Sequence, residues 1–372
     1  MPTEIESELL TGIREWVEIE SQTADAEGVN ALVSRVAAAF AETGARLERI
    51  PGRDGFGDHL SITAPWGGDG PGILVLCHLD TVHPRGTLAQ LPFRIDGDRA
   101  YGPGIYDMKG CVYIAYQAYR TIAEAGRATP LPIRFLCTSD EEVGSPTSRR
   151  LIERAAADAK YVLVTEPARS GGKVVTGRKG VGRYVVTARG RAAHSGVGHK
   201  EGRSAIREIA RQVLDLEALT DYDRGMTLNV GQIKGGTADN VVPEFCQAYV
   251  DVRMVSENDA KAIDRHIRDL KSHNPDIELS IAGEINRPPY RKTPEIDALF
   301  RHAKALAAEI GFELEDMFTG GGSDGSFVAT RVPTLDGIGV DGSGAHTLDE
   351  HIYISSLVPR MTLLKRLFET LE

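Results

Sequence analysis

The sequence predicts a layered α/β fold with an inserted α+β domain, and three observations support this prediction. The chain has 372 residues, more than one hydrophobic core usually supports, so the length favours two domains. Strand-like and helix-like segments alternate between residues 72 and 167, which is typical of a sheet covered by helices. From about residue 182 to 283 the order becomes strand, helix, two strands, helix, strand, which is typical of a ferredoxin-like unit.

The elements follow from hydrophobic periodicity. In the first part we predict helices at 3–20 and 28–45, a strand at 72–82, a helix at 108–125, a strand at 132–144, a helix at 146–157 and a strand at 160–167. The insertion contains strands at 183–189, 226–234, 244–254 and 277–283 and helices at 202–219 and 257–273. A helix at 294–310, a glycine-rich segment at 319–327, a strand near 333–339 and a helix at 355–371 complete the first domain. The predicted domains are therefore 1–178 with 288–372, and 179–287.

Composition excludes several classes of protein. Hydrophobic residues (41%) and charged residues (26%) are near the averages of soluble globular proteins. The net charge of −10 and the lack of a basic cluster with interleaved aromatics argue against nucleic-acid binding, although a local basic pocket for an anionic substrate remains open. No apolar run is long enough for a membrane helix, and the acidic start does not match a secretory signal. The cysteines lack CxxC spacing, which favours reduced thiols and a cytoplasmic protein: Cys77, Cys111, Cys137 and Cys246.

The first candidate for chemistry is the strand end His78-Leu79-Asp80. Residues two apart on a strand point to the same side, so Asp80 is placed to hydrogen-bond the His78 imidazole and fix its tautomer, as carboxylates do for metal-binding histidines. A histidine capped by a neighbouring carboxylate, without a metal, is the alternative.

Further carboxylates follow the other predicted strands. Asp107 stands just before a helix, where a plain N-cap is the alternative. Glu141 and Glu142 follow Asp140, and such a like-charge cluster at an apolar strand end is costly without cations, unless it is a solvated loop. Glu166 ends the apolar strand YVLV. Since carboxyl ends of strands converge at one edge of a sheet, we expect a metal site for zinc, cobalt or manganese.

The last candidate ligand lies in GSGAHTLDEHI. His346 and Glu350 are four residues apart, and the adjacent His351 is a competing candidate. The preceding glycines favour His346 as the ligand and leave His351 as a surface residue.

Taken together, ordered motifs over nearly the whole chain resemble the M20 family of metallopeptidases, in particular its carboxypeptidase G2 branch. The motifs are CHLDTV, GPGIYDMKG, TSDEEVGS, TEP, ARGRAAHSG, GGTADNVVPEFCQAYVDVR, RPPY, GGGSDGS and AHTLDEH. The resemblance implies a zinc-peptidase-like catalytic domain, with a mixed sheet flanked by helices, and an inserted ferredoxin-like lid or dimerisation domain.

The resemblance also implies roles for the strand-end residues. It implies that Asp107 bridges two Zn²⁺ ions per subunit, with Co²⁺ or Mn²⁺ as alternatives, and that Glu141 is the general base while Asp80 orients a ligand. The remaining metal ligands that it implies are His78, Glu142, Glu166 and His346.

In the insertion, the resemblance implies residues that act on the substrate. His194 would polarise the scissile carbonyl, in its own site or a neighbouring subunit's, and a loop histidine is the alternative. Arg287 would grip a substrate carboxylate through its guanidinium fork, and Asn240 and Arg253 match polar lid positions, with a strand salt bridge as an alternative for Arg253. Substrate contacts are further expected from the glycine-rich loop, at Gly320, Gly321, Gly322, Ser323 and Asp324. That loop lacks the Lys-Ser/Thr of a phosphate-binding loop, so nucleotide binding is excluded.

The expected activity is cleavage of an amide bond next to a carboxylate in a small-molecule or peptide substrate, releasing a C-terminal amino acid such as glutamate, by a homodimer. An N-acyl amino acid deacylase of the acetylornithine or succinyl-diaminopimelate type is the alternative, and a catalytically silent metabolite-binding relative is a third. The segment SGVGHKEGRSA after His194 departs from the pattern of the family, where a proline and an asparagine are common. Substrate preference is therefore less defined than the metal site.

Overall fold

The structure is a computed structural model that describes residues 2–68 and 70–372. Its α-helices are α1 (Glu4–Val17), α2 (Ala26–Ala41), α3 (Gly110–Glu124), α4 (Arg149–Ala157), α5 (Ala205–Glu217), α6 (Glu257–Arg268), α7 (Pro294–Ile310) and α8 (Leu357–Thr370). Its strands are β1 (Arg46–Ile50), β2 (His59–Thr63), β3 (Gly72–His78), β4 (Arg94–Asp96), β5 (Arg99–Tyr101), β6 (Ile133–Thr138), β7 (Ala159–Val164), β8 (Val174–Arg178), β9 (Gly180–Arg189), β10 (Ala193–His194), β11 (Thr227–Gly235), β12 (Val241–Val242), β13 (Phe245–Met254), β14 (Glu278–Arg287), β15 (Asp316–Thr319), β16 (Thr334–Leu335), β17 (Gly342–Ser343) and β18 (His351–Tyr353). Short 3-10 turns occupy Thr87–Ala89, Glu141–Val143, His199–Glu201, Asp324–Phe327 and Ile354–Ser356.

The chain divides into two compact units. The first contains the residues up to Thr176 together with Lys292–Phe318 and Ser323–Glu372. Its main sheet has the strand order β1-β2-β6-β3-β7-β16. The neighbours of β2 are antiparallel to it, whereas β6, β3, β7 and β16 run parallel. The predicted mixed sheet is therefore confirmed.

The central strand β3 has both faces packed, because every one of its residues is buried. Successive side chains on a strand point to opposite faces. Ile73, Val75 and Cys77 belong to a large core with α1, α2, α3, α7 and α8. Leu74 and Leu76 belong to a smaller core on the other face with α4. Helices thus cover both faces of the sheet, as predicted, and hold the end of β3 in place.

The large core is built around aromatic side chains. Trp16 of α1 and Phe40 of α2 are fully buried. Trp16 meets Tyr113 of α3 edge to face, with ring centroids 4.9 Å apart, and Phe40 lies 5.0 Å from both Tyr116 and Phe135. Such offset and edge contacts add stability beyond the burial of area. They fix α1, α2 and α3 against the sheet.

The second unit contains Gly177–Arg291 and Thr319–Gly322. Its antiparallel sheet has the order β11-β13-β9-β14. Side chains of α5 and α6, such as Ile209 and Ile263, share a core with Val186 and Val250 of the sheet. Among the longer elements the order is strand, helix, two strands, helix, strand, as the periodicity predicts.

The structure corrects several predicted element boundaries. The helix predicted from residue 108 begins at Gly110, after an irregular turn (Ile105–Lys109) in which Asp107 and Met108 have non-helical dihedral angles. The strand predicted near 333–339 is reduced to the two residues of β16. Strands β1 and β4 were not predicted, because most of their residues are exposed. Strands β2 and β5 are more buried but have only five and three residues, and they were not predicted either.

Candidate metal centre

The candidate ligands follow three neighbouring strands of the main sheet. Strands β6, β3 and β7 are adjacent and parallel, so their carboxyl ends meet at one edge. His78 is the last residue of β3. Glu141 and Glu142 form a turn after β6, and Glu166 stands two residues after the end of β7. These side chains therefore lie at the same edge of the sheet.

Two groups of side chains at this edge are arranged to hold a cation. His78, Asp107 and Glu166 form the first, and Asp107, Glu142 and His346 form the second. Within each group the ligand atoms lie within 4.8 Å of one another. Asp107 belongs to both groups.

The two carboxylate oxygens of Asp107 face different groups. Oδ1 lies 3.2 Å from His78 Nε2, which in turn lies 3.6 Å from Glu166 Oε1. Oδ2 lies 3.4 Å from His346 Nε2, which lies 3.2 Å from Glu142 Oε2. Asp107 is therefore the residue that would serve both groups if each held a cation.

The electrostatics of the cluster fit cations. Burial, together with the neighbouring Asp107 carboxylate, raises the pKa of Glu142 to about 8. Hydrogen bonds with Asp107 and Glu142 raise the pKa of His346 to about 10. Burial opposes ionisation of Asp107, but hydrogen bonds from His346 and His78 outweigh it and hold the pKa of Asp107 well below its usual range. Without a metal, the cluster of carboxylates thus reduces its negative charge by holding protons on Glu142 and His346.

One buried oxygen of the cluster has no hydrogen-bond partner among the described residues. This atom is Glu142 Oε1, and a buried acceptor of this kind is costly unless a cation or donor satisfies it. Nitrogen and oxygen donors without thiolates match zinc, cobalt or manganese. The residues present thus fit a pair of divalent cations.

His78 is held in the tautomer that a metal ligand needs. Its Nδ1 lies 2.9 Å from the carbonyl oxygen of Asp80. Because a carbonyl only accepts, Nδ1 carries a proton. Burial opposes protonation of the ring, but hydrogen bonds with Asp107 and Asp80 outweigh it and raise the pKa of His78, so in the metal-free protein Nε2 also carries a proton and donates it to Asp107 at 3.2 Å. A metal ion would displace the Nε2 proton and leave the Nδ1 proton in place.

The Asp80 carboxylate itself does more than the sequence indicated. It lies 3.5 Å from His78 Nδ1, farther than the Asp80 carbonyl oxygen. It accepts hydrogen bonds from Thr23 Oγ1 (2.7 Å) and from the backbone N–H groups of Glu141 (3.2 Å) and Glu142 (3.3 Å). Asp80 therefore joins the end of β3 to the turn that carries both glutamates.

Asp140 is separated from the adjacent glutamates by its hydrogen bonds. Its carboxylate accepts from Thr147 N (2.6 Å), Thr147 Oγ1 (2.7 Å) and Ser148 Oγ (2.5 Å). The repulsion expected among the three carboxylates is thus reduced, because the Asp140 carboxylate faces hydrogen-bond donors just before α4.

Sequence reasoning missed the role of Glu350. This carboxylate is fully buried and accepts backbone N–H groups from Gly104 (3.2 Å), Tyr106 (2.9 Å) and Asp107 (2.9 Å). It also lies 2.5 Å from His83 Nε2. Glu350 therefore holds the turn that carries Asp107. Its spacing from His346 was visible in the sequence, but the distant backbone donors were not.

The remaining histidines of this segment differ from each other. His346 is half exposed and adopts a left-handed backbone conformation (φ 65°) that is uncommon for residues other than glycine. His351, expected at the surface, is buried in β18 beside Tyr101. His351 belongs to neither ligand group.

In the second unit, His194 has a defined ring orientation. The side chain is exposed, and its Nδ1 accepts hydrogen bonds from the backbone N–H groups of Gly196 (3.1 Å) and Val197 (3.3 Å). In the neutral ring the proton is therefore on Nε2, which makes Nε2 a donor. Asn240 lies near His194, because Ser195 N donates to the Asn240 carbonyl oxygen at 2.9 Å. The Asn240 side chain is exposed.

The predicted arginines have different surroundings. Arg253 forms two hydrogen bonds with Asp251 (2.7 and 2.9 Å) and a longer one with Gly320 O (3.3 Å). The salt bridge within the strand, the alternative for Arg253, is therefore present. Arg287 is buried at the end of β14, and its side chain lies so close to Gly322 that a Cβ there would be 2.7 Å from Arg287 Cδ.

Several groups of the glycine-rich loop form hydrogen bonds with other parts of the protein. The carbonyl oxygens of Gly321 and Gly322 accept from Arg178 Nη1 at 3.2 and 3.0 Å. Ser323 belongs to the first unit, where it is buried and donates to Asp336 at 2.5 Å. Asp324 accepts from Thr138 at 3.0 Å. The side chains of Ser323 and Asp324 are thus turned toward the protein interior.

Known proteins are similar to this chain over most of its length. Residues 74–370 match the model of Peptidase family M20/M25/M40. The chain is 30% identical to carboxypeptidase G2 of Pseudomonas sp. (strain RS-16), across 98% of this chain and 89% of that protein. It is 27% identical to succinyl-diaminopimelate desuccinylase of Delftia acidovorans, across 82% of this chain and 83% of that protein. A tripeptidase structure from Staphylococcus aureus has the same fold, with a TM-score of 0.80, 22% identity and coverage of 99% and 98%.

Fold, donor set and relatives define a hydrolytic enzyme of the metallopeptidase and amidohydrolase class. The chain belongs to the M20/M25/M40 peptidase family, and the resemblance read from the motifs is confirmed. Among the described residues, no helix combines the length and the apolar character needed to cross a membrane.

Proposed function

We propose that this protein is a two-metal hydrolase that cleaves an amide or peptide bond next to a carboxylate and releases a C-terminal amino acid, as its similarity to carboxypeptidase G2 suggests. The observation that carries this proposal is the pair of ligand groups joined by Asp107. We further propose zinc as the native metal, with cobalt or manganese as alternatives, and a cytoplasmic homodimer in which residues 179–287 form the lid or dimerisation domain.

The ligands are assigned from the two groups. His78 and Glu166 would hold one cation, Glu142 and His346 the other, and Asp107 both. Bound there, the cations would polarise the scissile carbonyl and make the attacking water more acidic. Asp80 would hold the His78 ring and the backbone of residues 141 and 142 in position, through the hydrogen bonds given above.

Glu141 is proposed as the general base. It is in neither ligand group, although its neighbour Glu142 is, and its backbone is fixed by the Asp80 carboxylate. A carboxylate beside the cluster is suited to take the proton of the attacking water and later give it to the leaving nitrogen. His194 would donate from Nε2 to the developing oxyanion.

The substrate carboxylate would be held by Arg287, since a guanidinium binds a carboxylate through two parallel hydrogen bonds. Asn240 and the backbone at Gly321 and Gly322 are proposed as further contacts, through N–H groups because both carbonyl oxygens already accept from Arg178. Arg253 would contribute less to binding of the substrate, because its guanidinium group is already paired with Asp251.

The base is tested by Glu141→Gln, with Glu124→Gln, at the exposed last residue of α3, as a control. We expect the first variant to keep its metal content and to lose about 10²- to 10⁴-fold in kcat, and the control to retain both. Metal is measured by mass spectrometry and hydrolysis by release of the free amino acid. If Glu141→Gln hydrolyses the substrate normally with its metals bound, Glu141 is not the base.

A deacylase of the succinyl-diaminopimelate type is the second candidate, supported by the 27% identity to such an enzyme. Both candidates use the same metal ligands and differ in the acyl group and the amino acid. Parallel rates on an N-acyl glutamate, acetylornithine, succinyl-diaminopimelate and dipeptides separate them. A metal-loaded protein without activity on any of these classes would instead support the silent metabolite-binding relative.

A further inference from the structure

The first unit contains a cavity outside the candidate metal centre. Its volume is about 690 Å³, and it is open to solvent between the end of β1, the connection to β2 and helix α4. No residue of either metal-ligand group lines it. Its volume is within the range of about 300–1,000 Å³ that is usual for small-molecule sites.

The charges around this cavity are mostly positive. Arg53, Arg150 and Arg154 line it and are exposed. Among the described residues, none of these arginines forms an ion pair with a carboxylate, and Arg53 donates instead to the Thr147 carbonyl oxygen at 3.0 Å. Glu153 is the carboxylate in the lining, and it lies 3.2 Å from Arg149 Nε. The positive charge of the cavity is thus largely unneutralised.

This arrangement is unfavourable for the protein alone. Arg150 and Arg154 are four residues apart on α4, and like charges at this spacing destabilise a helix by about 0.2–0.5 kcal/mol. The chain has 53 acidic and 43 basic residues, so carboxylates for pairing are abundant elsewhere. An anion between the guanidinium groups would remove the repulsion.

We propose that this cavity binds a small molecule carrying a phosphate or carboxylate group, with Arg150 and Arg154 as its main anchors. Guanidinium groups bind both kinds of anion through paired hydrogen bonds. The apolar side chains Ile50, Leu151 and Ala157 line the same cavity and suit the uncharged part of such a ligand.

The cavity wall is also bonded to the turn of the metal centre. His59 Nε2 lies 3.0 Å from Thr147 Oγ1, and both residues line the cavity. Thr147 donates to Asp140, which directly precedes Glu141. The proposed ligand would therefore contact the segment that supports the base without occupying the metal centre.

The proposal is tested by calorimetric titration of the metal-loaded protein at constant ionic strength. Inorganic phosphate and succinate are the two probes, and the one that binds more tightly identifies the anion class. In the double variant Arg150→Ala/Arg154→Ala we expect affinity for that probe to fall by about 10- to 100-fold. Arg127→Ala, which removes an exposed arginine outside the cavity, should leave it unchanged.

A second double variant, Arg150→Lys/Arg154→Lys, keeps the charge and loses the paired hydrogen bonds, so we expect an intermediate affinity. Absence of saturable binding of both probes up to about 10 mM overturns the proposal. Equal binding by wild type and the alanine variant also overturns it, because the anion would then occupy another place such as the metal centre.

Discussion

Glu350 provides a direct test of how the Asp107 turn is held. Its carboxylate accepts three backbone N–H groups in a fully buried position. Substitution by alanine would leave all three unpaired, at about 1–3 kcal/mol each, which approaches the total stability of a typical domain of about 5–15 kcal/mol. Glu350→Gln is therefore the informative change.

Glutamine keeps one acceptor oxygen, which can serve Tyr106 and Asp107. Its NH₂ group would replace the oxygen that now faces Gly104 N–H and His83 Nε2, so the Gly104 N–H group would lose its acceptor. The expected loss is about 2 kcal/mol, which lowers the melting temperature by about 4–8 °C for a unit of this size. Because Asp107 is a proposed bridging ligand, metal affinity should fall by about 10- to 100-fold.

The assay for Glu350→Gln is thermal unfolding of the metal-free protein together with metal competition against a coloured chelator. Glu124→Gln is the control, because Glu124 makes an exposed pair with Arg120 (2.6 Å), and such pairs are worth about 0–1 kcal/mol. A melting temperature and metal affinity equal to wild type in Glu350→Gln would refute the role of Glu350.

Three further predictions concern pH and stability. At pH 7 the metal-free protein holds protons on Glu142 (pKa about 8) and His346 (pKa about 10). Metal binding must displace these protons, so the affinity for the metal should rise with pH between 6 and 8. Competition titrations that give a pH-independent affinity would contradict this. Phe40→Ala should lower the free energy of unfolding by about 3–5 kcal/mol because the ring is fully buried, and a denaturant titration with an unchanged midpoint would disprove it. Tyr184→Phe removes the hydrogen bond to Asp264 (2.6 Å) and should destabilise the second unit by about 0.5–1.5 kcal/mol, measured by amide hydrogen exchange, with unchanged exchange in that unit as the contrary result.

The arrangement of the strand-end side chains could be predicted from the sequence because it depends on a general property of parallel strands. Three apolar segments, each ending in a polar residue, suffice to place His78, Glu142 and Glu166 at one edge. Asp107 and His346 come from irregular turns, where periodicity carries no information, so they were indicated by their local sequence and by the motifs. Their assignment as metal ligands stays a prediction.

The features that could not be predicted involve contacts between distant backbone and side-chain atoms. Glu350 meets N–H groups almost 250 residues earlier in the chain. His351 looked like a surface residue, because its burial depends on the pairing of β18 with β5. Ser323 stands in a segment that reads as a flexible loop, yet its hydroxyl is fixed by Asp336. Such partners become visible only when the chain is folded.

The contact between Asp80 and the glutamate turn has a consequence for how the enzyme can change. The carboxylate binds the main-chain N–H groups of residues 141 and 142 and not their side chains. Every amino acid except proline supplies that donor. The side chains at these two positions can therefore be exchanged, by natural divergence or by engineering, while the turn keeps its place. New chemistry could be installed at this edge of the sheet without rebuilding the scaffold beneath it.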